Sequence, residues 1–320
     1  MRITLLALAV ASTAISPVFA AAHLSAADST ALVDACRAPE SATRTVPGIA
    51  VTDIPAAADD LPGLLIHDAT NQAEARIYYE PAFEQMARAH APCWGAMLRE
   101  LAQVVPETRP GIRWASIVLT ANPDYVPPRD GTDARWTALV NGDDAHLERF
   151  LFLVMPHEET HAVQTARREG LPRWFQEGHA EWAALHVTAL VRPELAAEQR
   201  AKHAAAAAKG DAELGAWGGM RVSREAIRRQ LSPEDQQRYD TDPNFSPHGP
   251  FHFGPGDIVS DERNTDTRYA SALALFDALE AAHGTSAVQE WITAVLADPD
   301  ADPVALARTM LDEDLTPLLG

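Results

Sequence analysis

Along most of this chain apolar residues recur at helical spacing, and only a few short runs alternate. After Pro81, the residues Phe83, Met86, Ala87, Trp94, Met97, Leu98 and Leu101 broadly keep that spacing, which predicts a helix to about Val105, ended by Pro106 and Pro110. Ile112 to Thr120 alternates, is rich in β-branched residues and predicts a strand. Leu64–His67 reads as a shorter strand, and Trp136–Val140 as a third, closed by Asn141-Gly142. Asp28–Arg37 reads as a short helix, and residues 41–63, with many Ala, Pro, Thr and Gly, as irregular. A long helical stretch is expected from about Asp144 to Glu169. Gly170-Leu171-Pro172 breaks it, and a second helix follows from about Pro172 to Val191. Residues 194–216 are Ala-rich and helical, Ser223 and Ser232 are placed as N-caps, and 240–266 forms a loop rich in Pro, Gly, Asp and Asn. Helices near 267–283, 286–297 and 303–311 close the chain. The expected fold class is α+β, mostly helical, with a small mixed sheet.

Composition adds limits. With 320 residues, 47% of them hydrophobic, there is ample material for a core, which excludes wholesale disorder. The formal charge of −19 makes nucleic acid a poor partner. The first twenty residues have the layout of a secretory signal. Arg2 supplies the positive start, Leu5–Ile15 an apolar run too short to span a bilayer comfortably, and Val18-Phe19-Ala20 a small-residue site with cleavage after Ala20. No later window is apolar enough for a membrane span, so the mature chain is expected in a periplasm or outside the cell. Cys36 and Cys93 are the two cysteines. In an oxidising compartment they suggest one disulfide, the alternative being two buried thiols.

The chemistry concentrates in His157-Glu158-Glu159-Thr160-His161. On a helix, residues four apart stack on one face, so His157 and His161 can share one metal ion, with Glu158 beside the open position. Zinc held by neutral nitrogens acidifies water, and a neighbouring glutamate can take that proton and later deliver it to a leaving amine. Chance alone would produce the pattern about 0.03 times in a chain of this make-up. Pro156 precedes the motif and cannot sit mid-helix without deleting a hydrogen bond and crowding the carbonyl of Phe152. Either the helix kinks there or a new one starts.

The following run, Leu171-Pro172-Arg173-Trp174-Phe175-Gln176-Glu177-Gly178-His179-Ala180-Glu181-Trp182, is similar to the second zinc helix of the gluzincin, or peptidase MA-like, metallopeptidases. The resemblance covers residues 157–182. It implies a zincin-like catalytic unit in which His157, His161 and Glu177 bind one zinc ion, Glu158 is the general base, and Glu181 holds a ligand imidazole from behind. Glu177 and Glu181 share a helix face, and Gly178 is expected to let the two zinc-bearing helices approach closely. His179 and His186 point roughly away from Glu177 and read as ordinary packed or exposed histidines. Glu159 and Gln164 read as surface residues.

The resemblance also calls for a later Tyr or His to stabilise the developing oxyanion. Tyr269, near the start of a helix, is the choice, with His248 and His252 as rivals in the 240–266 loop, which could be a lid. In such enzymes the strand before the motif helix, here Trp136–Val140, is an edge that pairs with extended peptide. Gly95-Ala96-Met97 and Gly218-Gly219-Met220 lack the glutamate of the aminopeptidase G-x-M-E-N segment and are dismissed. The organisation that follows is a signal peptide (1–20), an N-terminal helical and irregular region packed on the catalytic unit (21–110), a zincin-like core (111–192) and a C-terminal helical subdomain (193–320). The function implied is zinc-dependent hydrolysis of peptide bonds in peptide or protein substrates. The alternative is a non-proteolytic zinc-binding protein that holds a peptide or partner on the same scaffold.

Overall fold

The computed structural model describes residue 36 and residues 45–55, 61–105, 113–122, 138–139, 148–168, 170–210, 212–218, 221–242, 245, 247, 255–259 and 263–320. The leader, most of the 28–37 helix and about half of the 240–266 loop lie outside these residues.

The fold is α+β and mostly helical, with a small mixed sheet. Strands β1 (Ile49–Ile54), β2 (Gly63–Asp68), β3 (Ala73–Tyr79), β4 (Arg113–Thr120) and β5 (Ala138–Leu139) lie side by side in that order. The first three pair antiparallel, and β3–β4 and β4–β5 pair parallel. The expected strands at 64–67 and 112–120 are present, and the third is described over Ala138–Leu139. Two strands went unread. β1 falls in the stretch expected to be irregular. It is mostly exposed, and its apolar residues Ile49, Ala50 and Val51 run together rather than alternate, so its backbone pairing with β2 makes it a strand. In β3, Ala73, Ala75, Ile77 and Tyr79 are buried and alternate with half-buried Glu74, Arg76 and Tyr78. That period was present, but alanine is a poor marker of it because it favours helices.

Helix α1 (Glu84–Val104) packs on β1, β2 and β3. A Cβ on Gly95 would come within 2.7 Å of Ile66 and 2.9 Å of Ile49, so glycine there sets the helix-to-sheet distance. That is a packing role, in keeping with the dismissal of Gly95-Ala96-Met97 as a binding segment. Cys93, on the same helix, is disulfide-bonded to Cys36, so the two-thiol alternative does not hold.

The expected long helix before Gly170 is not continuous. Phe150–Val154 forms a π-helical turn, and α2 (Met155–Arg167) starts after it with Pro156 in its first turn. Met155 N–H donates to the carbonyl of Phe150, five residues back, and Pro156 has no N–H to give. The carbonyl of Phe152, four residues before Pro156, is instead satisfied by the hydroxyl of buried Thr188. That hydroxyl shares its hydrogen with the carbonyl of Ala184 at 2.8 Å.

Thr188 belongs to α3 (Arg173–Val191), which is buried on nearly every side and packs against α1, α2, α4 (Pro193–Ala207) and the later α7. α4 ends at Ala207, short of the expected 216. Ser223 and Ser232 do cap α5 (Arg224–Arg228) and α6 (Pro233–Thr241), accepting from the N–H groups of Ala226 and Asp235. A two-stranded ribbon of β6 (Arg221–Val222) and β7 (Ile258–Val259) lies beside α5 in the chain. The closing helices are α7 (Thr265–His283), α8 (Thr285–Ala297), α9 (Pro303–Met310) and the short α10 (Thr316–Leu319).

Phe175 of α3 packs its ring against Phe276 of α7 and Trp291 of α8, with centroids 5.6 and 5.2 Å away. Each such buried aromatic contributes about 1.5–3 kcal/mol. Buried Arg168, just past α2, donates to the carbonyls of Val295 (2.8 Å) and Ala301 (2.7 Å), tying the motif helix to the C-terminal helices. Among the described residues no helix is long and apolar enough to cross a membrane.

Two stability predictions follow from these ties. The disulfide closes a loop with a sequence separation of 57 residues. Reducing it should therefore lower unfolding free energy by about 3–4 kcal/mol, read from urea melts with and without reductant. Thr188→Val keeps the shape but leaves Phe152's carbonyl without its hydroxyl donor, and should cost about 1–3 kcal/mol in the same melts.

Candidate metal centre

Helices α2 and α3 bring three donor atoms together. His157 Nε2 and His161 Nε2 are 3.0 Å apart. Glu177 Oε2 lies 3.2 Å from His161 Nε2 and 3.4 Å from His157 Nε2. The 157/161 pair arises from helical stacking, as the spacing requires, and Glu177 reaches it because α3 packs against α2. Two donors bound about 2.0–2.1 Å from a tetrahedral ion stand about 3.3 Å apart, so this set fits a metal ion without rearrangement. The side chains are 12% (His157), 25% (His161) and 6% (Glu177) exposed, a sheltered group that solvent still reaches from the His161 side. His157, His161 and Glu177 therefore form a group that could hold a metal ion.

The electrostatics agree with that description. Burial alone would raise the Glu177 carboxyl, but hydrogen bonds from His157 and His161 more than reverse this and hold it well below the ordinary carboxylate range. Burial pulls the His161 imidazole down, and the Glu177 carboxylate lifts it above its ordinary value. Three lone-pair donors this close need positive charge between them, whether protons or a cation.

The outer faces of both imidazoles are supported. Glu181 Oε1 lies 3.4 Å from His157 Nδ1, and its other oxygen is 3.3 Å from His203 Nε2 on α4. His161 Nδ1 is 2.9 Å from Gln164 Oε1. The Gln164 amide nitrogen is 3.0 Å from the Gln176 carbonyl and 3.1 Å from His179 Nδ1. The Gln164 contact sets the ring orientation and tautomer of His161, while Glu181 faces His157 Nδ1 as an ion-pair partner without a hydrogen bond. Glu158 is exposed, and its carboxylate contributes to the raised pKa of His161.

Tyr269 of α7 stands beside the group, its ring centroid 6.3 Å from that of His157. Burial and then the nearby Glu177 carboxylate push its phenol pKa up. The Arg173 guanidinium acts in the other direction. The rivals His248 and His252 lie outside the described residues, and β5 occupies one edge of the sheet.

Several expectations need correction. Gln164 and Glu159 are buried, at 1% exposure each, so neither is a surface residue. Gln164 sits three residues after His161, on the same helix face, and that spacing was a usable signal. Gly178 does not serve the approach of α2 and α3. A Cβ there would meet Phe276 at 2.8 Å and the Ala272 carbonyl at 2.9 Å, so its role is to admit α7. His179 is a packed histidine, as expected, and burial pushes its pKa down to about 3. His186 is likewise packed, its Nε2 2.8 Å from Glu280 Oε1. Sequence reasoning missed Arg173, one turn before Glu177, and His203, which no local pattern could have tied to Glu181.

Comparison with protein-family models, with curated proteins and with solved structures finds no match. The site is therefore read from its own chemistry.

Metal uptake should depend on pH in a definite direction. Only neutral imidazoles can bind a cation, and His161 keeps its proton to a higher pH than usual. As pH falls through the histidine range, the apparent affinity for added Zn2+ should weaken by up to about tenfold per pH unit for each imidazole that protonates. Competitive chelator titrations between about pH 5 and 8 check this. Glu177→Gln should lose most of the affinity at every pH.

Proposed function

We propose that this chain is an exported zinc metallopeptidase of the gluzincin type, with a zincin-like catalytic unit. The observation that carries the reading is the convergence of His157, His161 and Glu177 within 3.0–3.4 Å, with exposed Glu158 next to it. When bound, zinc supplies Lewis acidity, which makes water a nucleophile near neutral pH and polarises a carbonyl.

The remaining work belongs to the chain. Glu158, exposed and next to His157 in the chain, takes the proton of the attacking water and passes it to the leaving amine. Tyr269 donates its phenolic hydrogen to the carbonyl oxygen as that oxygen becomes anionic, and burial together with Glu177 keeps the phenol protonated for the task. Glu181 and Gln164 hold the two imidazoles in register. A peptide substrate would lie along the β5 edge by strand addition. The Cys36–Cys93 disulfide supports an oxidising compartment and agrees with the leader-like first twenty residues. The nearness of Tyr269 counts against a protein that holds zinc and peptide without turnover, since that role needs no proton donor beside the metal.

The test is metal analysis of the purified chain beside Glu158→Gln, each offered a mixed peptide pool. Zinc is expected in both, with cleavage by the variant lower by about 10²–10⁴-fold. Equal cleavage by both would remove Glu158 from its role. Tyr269→Phe should retain zinc and lower kcat by about 10²–10³-fold with little change in KM.

A further inference from the structure

Arg173 is the charged group at this site that the reading above leaves without a task. Its side chain is 5% exposed, so it cannot meet substrate across open solvent. Its Nε lies 3.6 Å from Glu177 Oε1, while the other carboxylate oxygen of Glu177 faces the two imidazoles. Among the described residues Glu177 is the carboxylate within ion-pair reach of Arg173. The guanidinium is further fixed by stacking on the Trp217 ring, 4.7 Å from its centroid, and by donating from Nη1 to the Gly218 carbonyl at 3.4 Å. Its Nε has no hydrogen-bond partner and faces Glu177 as an ion pair alone, so the guanidinium is a buried charge whose neutralising group is that carboxylate.

We infer that Arg173 is a positioning residue that divides the two oxygens of Glu177, holding Oε1 so that Oε2 alone is presented to a metal ion. This deepens the metallopeptidase reading and rests on the metal centre it assumes. A free carboxylate can chelate with both oxygens. One anchored at Oε1 binds through a single oxygen and leaves a coordination position open. Pairing with the guanidinium also draws off part of the carboxylate's negative charge, which leaves the cation more electrophilic. The i, i+4 spacing of Arg173 and Glu177 puts both on one face of α3.

The experiment uses the full mature chain loaded with Co2+, whose visible absorption weakens as coordination number rises. Parent, Arg173→Met and Arg173→Lys proteins are compared after circular dichroism has established that each is folded. Arg173→Met should still take up one cobalt, with weaker absorption per bound ion as Glu177 closes onto the metal through both oxygens. Arg173→Lys, which restores a cation to Oε1, should return most of the parental intensity. If Arg173→Met does not fold, Arg173→Gln takes its place, with the same loss of intensity expected. Identical spectra in the parent and a folded uncharged variant would overturn the division of the carboxylate while leaving the metal centre standing. Failure of the parent itself to bind cobalt or zinc would instead remove the metal centre, and this inference with it.

Discussion

Three lone-pair donors held within 3.4 Å of one another repel unless something positive lies among them. In this protein the repulsion is built in by two rigid helices. α2 contributes two imidazoles one turn apart, and α3 contributes one carboxylate oxygen. The depressed Glu177 carboxyl and the raised His161 imidazole are the proton's answer to that demand. A divalent cation meets the same demand with stronger charge and fixed distances. Much of the surrounding packing is best understood as what keeps these atoms from separating.

That packing centres on α3. Its residues face α1, α2, α4 and α7 at once, and each contact does something for the site. Toward α2 it presents Glu177 and, further along, Thr188, whose hydroxyl takes over the Phe152 carbonyl that Pro156 cannot serve. The π turn and Pro156 thus mark where the chain re-aims itself so that His157 and His161 face α3. Toward α7 it offers Gly178, the gap that seats Phe276 and brings Tyr269 near His157. Toward α4 it sends Glu181, shared by His157 and His203.

Much of this could be read from residue order because it depends on local periods. Helical stacking put His157 over His161 and Arg173 over Glu177. Serine caps, glycines and prolines marked most helix ends, and α7, α8 and α9 begin and end within a few residues of where they were expected. The misreadings share a cause. β1 is a strand because β2 lies beside it, and β3 carried its alternation on alanines. Gln164 and Glu159 have polar side chains, and polar residues default to the surface until a neighbouring helix covers them. Gly178 plainly signalled a close approach but could not say which helix approached.

The amino-acid order by itself determined which helices form, where they break and which side chains share a helix face, because these follow from interactions within about one turn of the chain. Only the tertiary structure decided which faces meet. It set Glu177 against two imidazoles from another helix, brought Tyr269 from about a hundred residues further along, covered Gln164 and linked His203 to Glu181. Those pairings depend on how side-chain volumes fit between whole elements, and no spacing along the chain encodes that fit.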